Sequence, residues 1–149
     1  LIIDLDAHQG NGTAKIFENE PKVFTFSMHA EKNFPFTKEV SDLDIGLADG
    51  TTDEVYLKTL EEVLPELLEN VNPDFVFYLS GVDILESDTL GRLSCTIEGC
   101  RQRDIMVLES LYNKGLPVQI SMGGGYSKQI RHIVDAHAHT FKVAQDIYY

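Results

Sequence analysis

Cysteine is scarce in this chain, with only Cys95 and Cys100 among 149 residues. Two such residues give no disulfide framework and no C-x-x-C metal pair. A reducing, intracellular compartment is the simplest expectation: the cytoplasm, or also the nucleus if the source is eukaryotic. Long apolar runs are missing as well; none approaches the roughly 20 residues that a membrane helix needs. No charged segment precedes an apolar core at the start, so no signal peptide is expected. Basic residues are outnumbered, with 12 Lys and Arg against 24 Asp and Glu and a net charge of −12. That balance argues against a general nucleic-acid binder. A cationic partner would suit it, although a solvated acidic surface is the commoner meaning. Neither G-x-x-x-x-G-K-[ST] nor G-x-G-x-x-G occurs, so phosphate loops of those types are excluded. An initiator Met is also missing and the chain opens directly in a strand, so a segment that begins inside a longer domain is expected.

What is present suffices for one globular domain: 149 residues, 43% of them hydrophobic. Its organising stretch is the first dozen residues, Leu1 to Gly12. Ile3, Leu5 and Ala7 alternate with Asp4, Asp6 and His8, which therefore share one face of a strand. Gly10 and Gly12 then mark a loop. A carboxylate and an imidazole delivered together at a strand end form a ligand set suited to zinc, manganese or ferrous iron. The competing reading is an ion pair in which a neighbour satisfies His8. Catalytic zinc usually takes three protein ligands, so a third must come from elsewhere.

The rest of the chain alternates helices and strands. A short helix is expected over Asn11 to Glu20, stopped by Pro21, then a strand over Val23 to Ser27. Met28 to Gly50 reads as a long connection holding Phe34-Pro35-Phe36, two aromatics that could wall a pocket or plug the core. Thr51-x-x-Glu54 has the form of a capping box for a helix with Val55, Leu57, Leu60, Val63, Leu64 and Leu67 on one stripe; Pro65 predicts a kink or early break. Phe75 to Leu79 is an apolar strand, as expected where helices cover both faces of a parallel sheet. An acidic loop follows with Asp83, Glu86 and Asp88. Thr96 is placed to cap a helix over Ile97 to Asn113, and Gly115 to stop it. Pro117 to Met122 is a strand running into Gly123-Gly124-Gly125-Tyr126, and a last helix is expected from Ser127. Alternation of this kind predicts an α/β fold with a doubly wound parallel sheet.

Loops at the carboxyl ends of parallel strands converge on one rim. The acidic loop can thus supply the missing ligand, and residue type alone does not choose among Asp83, Glu86 and Asp88. The triple glycine allows a sharp bend and close backbone approach. Tyr126, at its end, could donate a hydrogen bond to a developing oxyanion; alone it would read as an amphipathic core residue.

Three segments together resemble the zinc-dependent histone deacetylase family: Asp4-Leu5-Asp6-Ala7-His8-Gln9-Gly10-Asn11-Gly12, then Gly81-Val82-Asp83-Ile84-Leu85-Glu86-Ser87-Asp88 with Leu90-Gly91-x-Leu93, then Gly123-Gly124-Gly125-Tyr126. The wording is most similar to its class IV branch and related bacterial proteins. The resemblance implies an arginase/deacetylase-like fold, present here as the C-terminal part of a catalytic domain over 1–149. It implies one zinc ion per chain held by Asp6, His8 and Asp88, with Tyr126 polarising the substrate carbonyl. It implies potassium near Asp4, Asp6, His8, Ser27 and Met28, and a second monovalent ion near Phe17 and Val23. Phe34, Gly124 and Gly125 would line the acyl tunnel, with Cys95 near its mouth. Substrates would be an acyl-lysine peptide or protein, or an acylated small amine. The family's general-base histidine pair lies upstream of the D-x-H motif; His29, His132, His137 and His139 match no family motif and are expected at the surface or in helix packing. Asn11, Glu86-Ser87 and Met122 depart from the family pattern.

Two other readings stay open. Ureohydrolases with two manganese ions share a D-A-H motif but need an Asp where Gly10 stands. A catalytically inactive module that binds a metal or an acylated ligand is the other.

Overall fold

A computed structural model describes residues 1–149. Five strands form one wholly parallel sheet: β1 (Ile2–Asp4), β2 (Thr25–Ala30), β3 (Leu43–Leu47), β4 (Val76–Gly81) and β5 (Val118–Gly123), in the order β3-β2-β1-β4-β5. Four helices accompany them, three as connections and the last after β5: α1 (Asn11–Phe17), α2 (Asp53–Val71), α3 (Ile97–Asn113) and α4 (Ile130–Tyr148). The chain winds outward from β1 to β3, then returns to the other side of β1 for β4 and β5. The switch point of this winding therefore lies between β1 and β4, where open parallel sheets place their ligand crevice.

The core forms where helix stripes meet the sheet. Tyr56, Leu60, Leu64, Leu67 and Leu68 of α2 are buried, as are Val107, Leu108 and Leu111 of α3. They pack with Ile3, Phe26, Met28, Val76 and Tyr78 from the strands. Alternation on β4 is sharp: Val76, Tyr78 and Ser80 are buried while Phe77 remains 46% exposed. That face is thus less covered than an all-apolar strand led us to expect. No helix is long and apolar enough to cross a membrane.

Several boundaries differ from the sequence expectations. The long connection contains β3, whose Asp44 and Gly46 mask its strand character. Strand β2 extends through Met28 and His29 because Ser27 Oγ and His29 Nδ1 hydrogen-bond each other (3.0 Å), so both polar groups are satisfied inside the sheet. His29 is accordingly buried, not on the surface. Helix α1 ends at Phe17, short of Pro21. The N-cap of α2 is Thr52 and makes no side-chain cap bond; Thr51 Oγ1 donates to the Ala48 carbonyl instead. Pro65 does not end α2, which continues to Val71. Both Pro65 and Glu61, whose carbonyl loses its helical partner, are exposed, so water can satisfy that carbonyl. Thr96 caps α3 as expected, its side chain accepting from Gly99 N–H. Helix α4 starts at Ile130, since Ser127 bridges to Asp88 in extended conformation.

Candidate metal centre

Three strand ends build the site. Asp6 and His8 follow β1, Asp83 follows β4, and Gly124-Gly125-Tyr126 follow β5. The carboxylates of Asp6 and Asp83 and the imidazole of His8 present one ligand atom each within 4.8 Å of one another. His8 Nδ1 lies 3.0 Å from Asp6 Oδ1 and 2.8 Å from Asp83 Oδ2. Backbone amides fix the carboxylates: Ala7 N–H donates to Asp83 Oδ1 (2.9 Å) and His8 N–H to Asp6 Oδ1 (2.9 Å). Asp83 is 1% exposed and forms the floor, while Asp6 at 20% and His8 at 23% reach the rim.

Glycines make the close approach possible. A Cβ on Gly81 would stand 2.5 Å from Asp6 Cα, and one on Gly124 2.5 Å from Asp83 Cγ. Gly124 and Gly125 also have φ of +65° and +108°, where a side chain is strained.

The electrostatics are those of an acceptor-rich site held together by one proton. Hydrogen bonds to Asp6 and Asp83 push the His8 pKa up to about 10. Burial raises Asp83 to about 6. Burial also acts upward on Asp6, but its hydrogen bonds with His8 and Asp83 outweigh this and leave it below the usual carboxylate value. Two carboxylates and an imidazole nitrogen aimed at one point suit a divalent cation in place of that proton. The donor set therefore fits zinc.

Asp88 reaches the same rim but stands outside this trio. Its Oδ1 accepts from Leu90 N–H (2.7 Å) and Gly91 N–H (2.9 Å), and its Oδ2 from Tyr126 N–H (2.6 Å). Those backbone donors hold its carboxylate on the loop. Asp83 occupies the third place instead, a role that residue type alone left undecided. Tyr126 is 53% exposed, and its carbonyl accepts from Thr89 Oγ1.

The residues expected around potassium are also near one another. Asp4 and Ser27 are register partners on β1 and β2. Asp4 accepts from Asp6 N–H (3.1 Å), and burial raises its pKa to about 7. A Cβ on Gly10 would come within 2.4 Å of Asp4 Oδ2. A buried carboxylate with no basic partner suits a monovalent cation. Met28 is buried beside Ser27 on β2. Phe17 and Val23 lie apart from this group, on the cleft at the amino ends of the strands; the Phe17 carbonyl already accepts from Glu20 N–H.

Phe34 is exposed and meets Phe36 edge to face, with centroids 6.4 Å apart. Their loop is pinned at both ends. Asn33 Nδ2 donates to the Leu90 and Gly91 carbonyls, and Gln9 exchanges hydrogen bonds with the Glu39 backbone. Cys95 departs from the expected tunnel position: it is 1% exposed, its amide donates to the Ile84 carbonyl, and it belongs to the core. Burial lifts its thiol to about 12. Sequence reasoning also missed Arg103 and Asp104, both buried on α3. Their signal was a charged pair on the same helical stripe as Cys100, Val107, Leu108 and Leu111.

Comparison with known proteins gives the chain a family. The chain is 49% identical over 148 residues to an uncharacterized protein of Picosynechococcus sp., covering 99% of this chain and 49% of that protein. It is 34% identical over 137 residues to histone deacetylase 2 of Arabidopsis thaliana, covering 90% of this chain and 35% of the relative. The crystal structure of the HDA15 HD domain superposes with a TM-score of 0.78 at 27% identity, over 97% of this chain and 44% of that one. The chain thus spans about half the length of the relatives it matches, or less. Residues 1–141 match the histone deacetylase domain, and the chain belongs to that family.

Proposed function

We propose that the protein containing this chain is a zinc-dependent deacetylase that hydrolyses the amide of acetyl-lysine or of a related acylated amine, and that 1–149 form the C-terminal part of its catalytic domain. The observation that carries this reading is the convergence of Asp6, His8 and Asp83 at the switch point, beside the Gly124-Gly125-Tyr126 turn. A zinc ion bound there would polarise the amide carbonyl and lower the pKa of a bound water. Asp6 and His8 hold the ion from the strand side. Asp83 is the third ligand we propose, because its carboxylate is the one that meets Asp6 and His8. Asp88, accepting from Leu90, Gly91 and Tyr126 N–H, braces the turn that carries the phenol.

Tyr126 would donate a hydrogen bond to the oxygen of the substrate carbonyl as negative charge develops on it. Its backbone is held by Asp88 and Thr89, so the phenol and the ion are positioned by one loop. Phe34, Gly124 and Gly125 form the apolar passage for the acyl-lysine stem. Asp4, Ser27 and the backbone of Asp6, His8 and Met28 hold potassium, with a second monovalent ion near Phe17 and Val23. The proton of the attacking water goes to a histidine outside these residues, since His29 is bound to Ser27 and no imidazole other than His8 joins the cluster.

The test is hydrolysis of an acetyl-lysine peptide by the intact protein and by residues 1–149 alone. Activity in the intact protein that a chelator removes and zinc restores, with little or none in the segment, is expected. Stoichiometric zinc uptake without hydrolysis by the intact protein would overturn the enzyme reading. Two manganese ions per chain would point to a ureohydrolase-like centre instead.

A further inference from the structure

The largest fully buried side chain in the molecule is a charged one, Arg103 on α3. Burying a guanidinium is costly unless its partners repay the lost hydration. One partner is Asp104, whose Oδ1 lies 3.0 Å from Arg103 Nε and 2.8 Å from Nη2. Yet Nη2 has no well-formed hydrogen bond, so the pair is not the parallel two-pronged fork that arginine makes best with a carboxylate. Asp104 is occupied elsewhere too, accepting from Tyr78 Oη (2.5 Å) and Thr140 Oγ1 (2.7 Å). What the guanidinium reaches instead is backbone. Nη1 donates to the carbonyl of Leu5 (3.3 Å) and to that of Gly81.

Those two carbonyls are the last of their kind before the chemistry begins. The Leu5 carbonyl shares a peptide plane with the amide of Asp6. The Gly81 carbonyl shares one with the amide of Val82, which opens the acidic loop. The tips of β1 and β4 nearly touch here, as the Gly81 contact with Asp6 requires. Arg103 lies beneath that seam, steadied from one side by the Tyr78 ring 5.9 Å from its guanidinium carbon.

We propose that Arg103 is a positioning residue for the metal centre: by gripping the Leu5 and Gly81 carbonyls together it sets the orientation from which Asp6 and the acidic loop offer their carboxylates. Asp104, Tyr78 and Thr140 hold it in place. The inference rests on the metal reading above, and concerns residues that touch neither ion nor substrate.

Cobalt(II) serves as the probe, with affinity measured by chelator competition and geometry by the visible absorption of the bound ion. In the intact protein, R103M should weaken cobalt binding about 10- to 100-fold, the range typical of outer-shell partners of metal ligands, and shift the absorption band. R103K restores a donor to one carbonyl and should recover part of both. If R103M does not fold, the double variant R103M/D104N decides. It leaves no stranded charge and keeps an amide oxygen to accept from Tyr78 Oη. It should fold cooperatively yet bind cobalt about 10- to 100-fold more weakly. A folded double variant with unchanged affinity and spectrum would reduce Arg103 to a core ion pair and overturn the proposal. If the unaltered protein takes up no cobalt, the metal reading fails and this inference with it.

Discussion

The two ends of the sheet differ in kind. At the amino ends of the strands lies a wide cleft of about 1260 Å³, walled by Phe17, Val23, Leu67, Phe75 and Phe77 among others. At the carboxyl ends two carboxylates and an imidazole meet within 4.8 Å. Acidic groups line the cleft too, including Glu18, Glu20, Glu66 and Asp74, yet no trio of them converges. The contrast separates volume from chemistry. A cleft forms wherever a sheet face and its helices leave a gap, whereas convergence needs strand ends, backbone amides and glycines acting together.

Replacing His8 by Ala should have the largest effect, abolishing stoichiometric divalent metal binding as read by metal content after dialysis. Retention of a full equivalent would move the centre away from this rim. Tyr126→Phe should lower kcat by about 10²- to 10³-fold, the range for one lost oxyanion donor, while metal content stays unchanged. D83N should weaken zinc more than D88N does; the reverse order would make Asp88 the third ligand. Stability responds differently at the two ends. Leu60→Ala, in the packed layer, should cost about 2–5 kcal/mol in denaturant unfolding. Phe77→Ala, at the open end, should cost distinctly less because the ring is already half hydrated.

A further expected effect is in pH dependence. His8 moves from 6.5 to about 10 on folding, Asp4 from 3.8 to about 7 and Asp83 from 3.8 to about 6. Each binds its proton more tightly in the folded chain. Their stabilisation is present in full at low pH and is lost as pH rises, between about 4 and 7 for the carboxylates and between 6.5 and about 10 for His8. Asp6, shifted downward, works in the opposite sense. Metal-free protein should therefore melt lower as pH rises through this range, and zinc should flatten the profile because it replaces the His8 proton. An equal slope with and without zinc would show that the ion binds elsewhere.

Much of this was readable from residue order because it depends on local pattern. The alternation around Asp6 and His8, the glycine turn before Tyr126 and the capped helix α3 are all short-range features. What escaped depends on partners distant in the chain. Strand β3 exists because Leu43 to Leu47 pair with β2, a pairing that Asp44 and Gly46 disguise. Helix α2 passes through Pro65 because water reaches the orphaned carbonyl. The choice of Asp83 over Asp88 for the cluster is set by the Ala7 amide, 76 positions away. Residue type could not reveal it, since both are Asp on one loop.

The stitching of the aromatic loop has a consequence for engineering. Residues 33 to 39 are latched to the strand-end loops through Asn33 and Gln9, one latch at each end. A graft of this loop onto a related scaffold would carry its shape only if both latches and their backbone receptors travelled with it. A transplant without them would deliver the two phenylalanines and lose their placement.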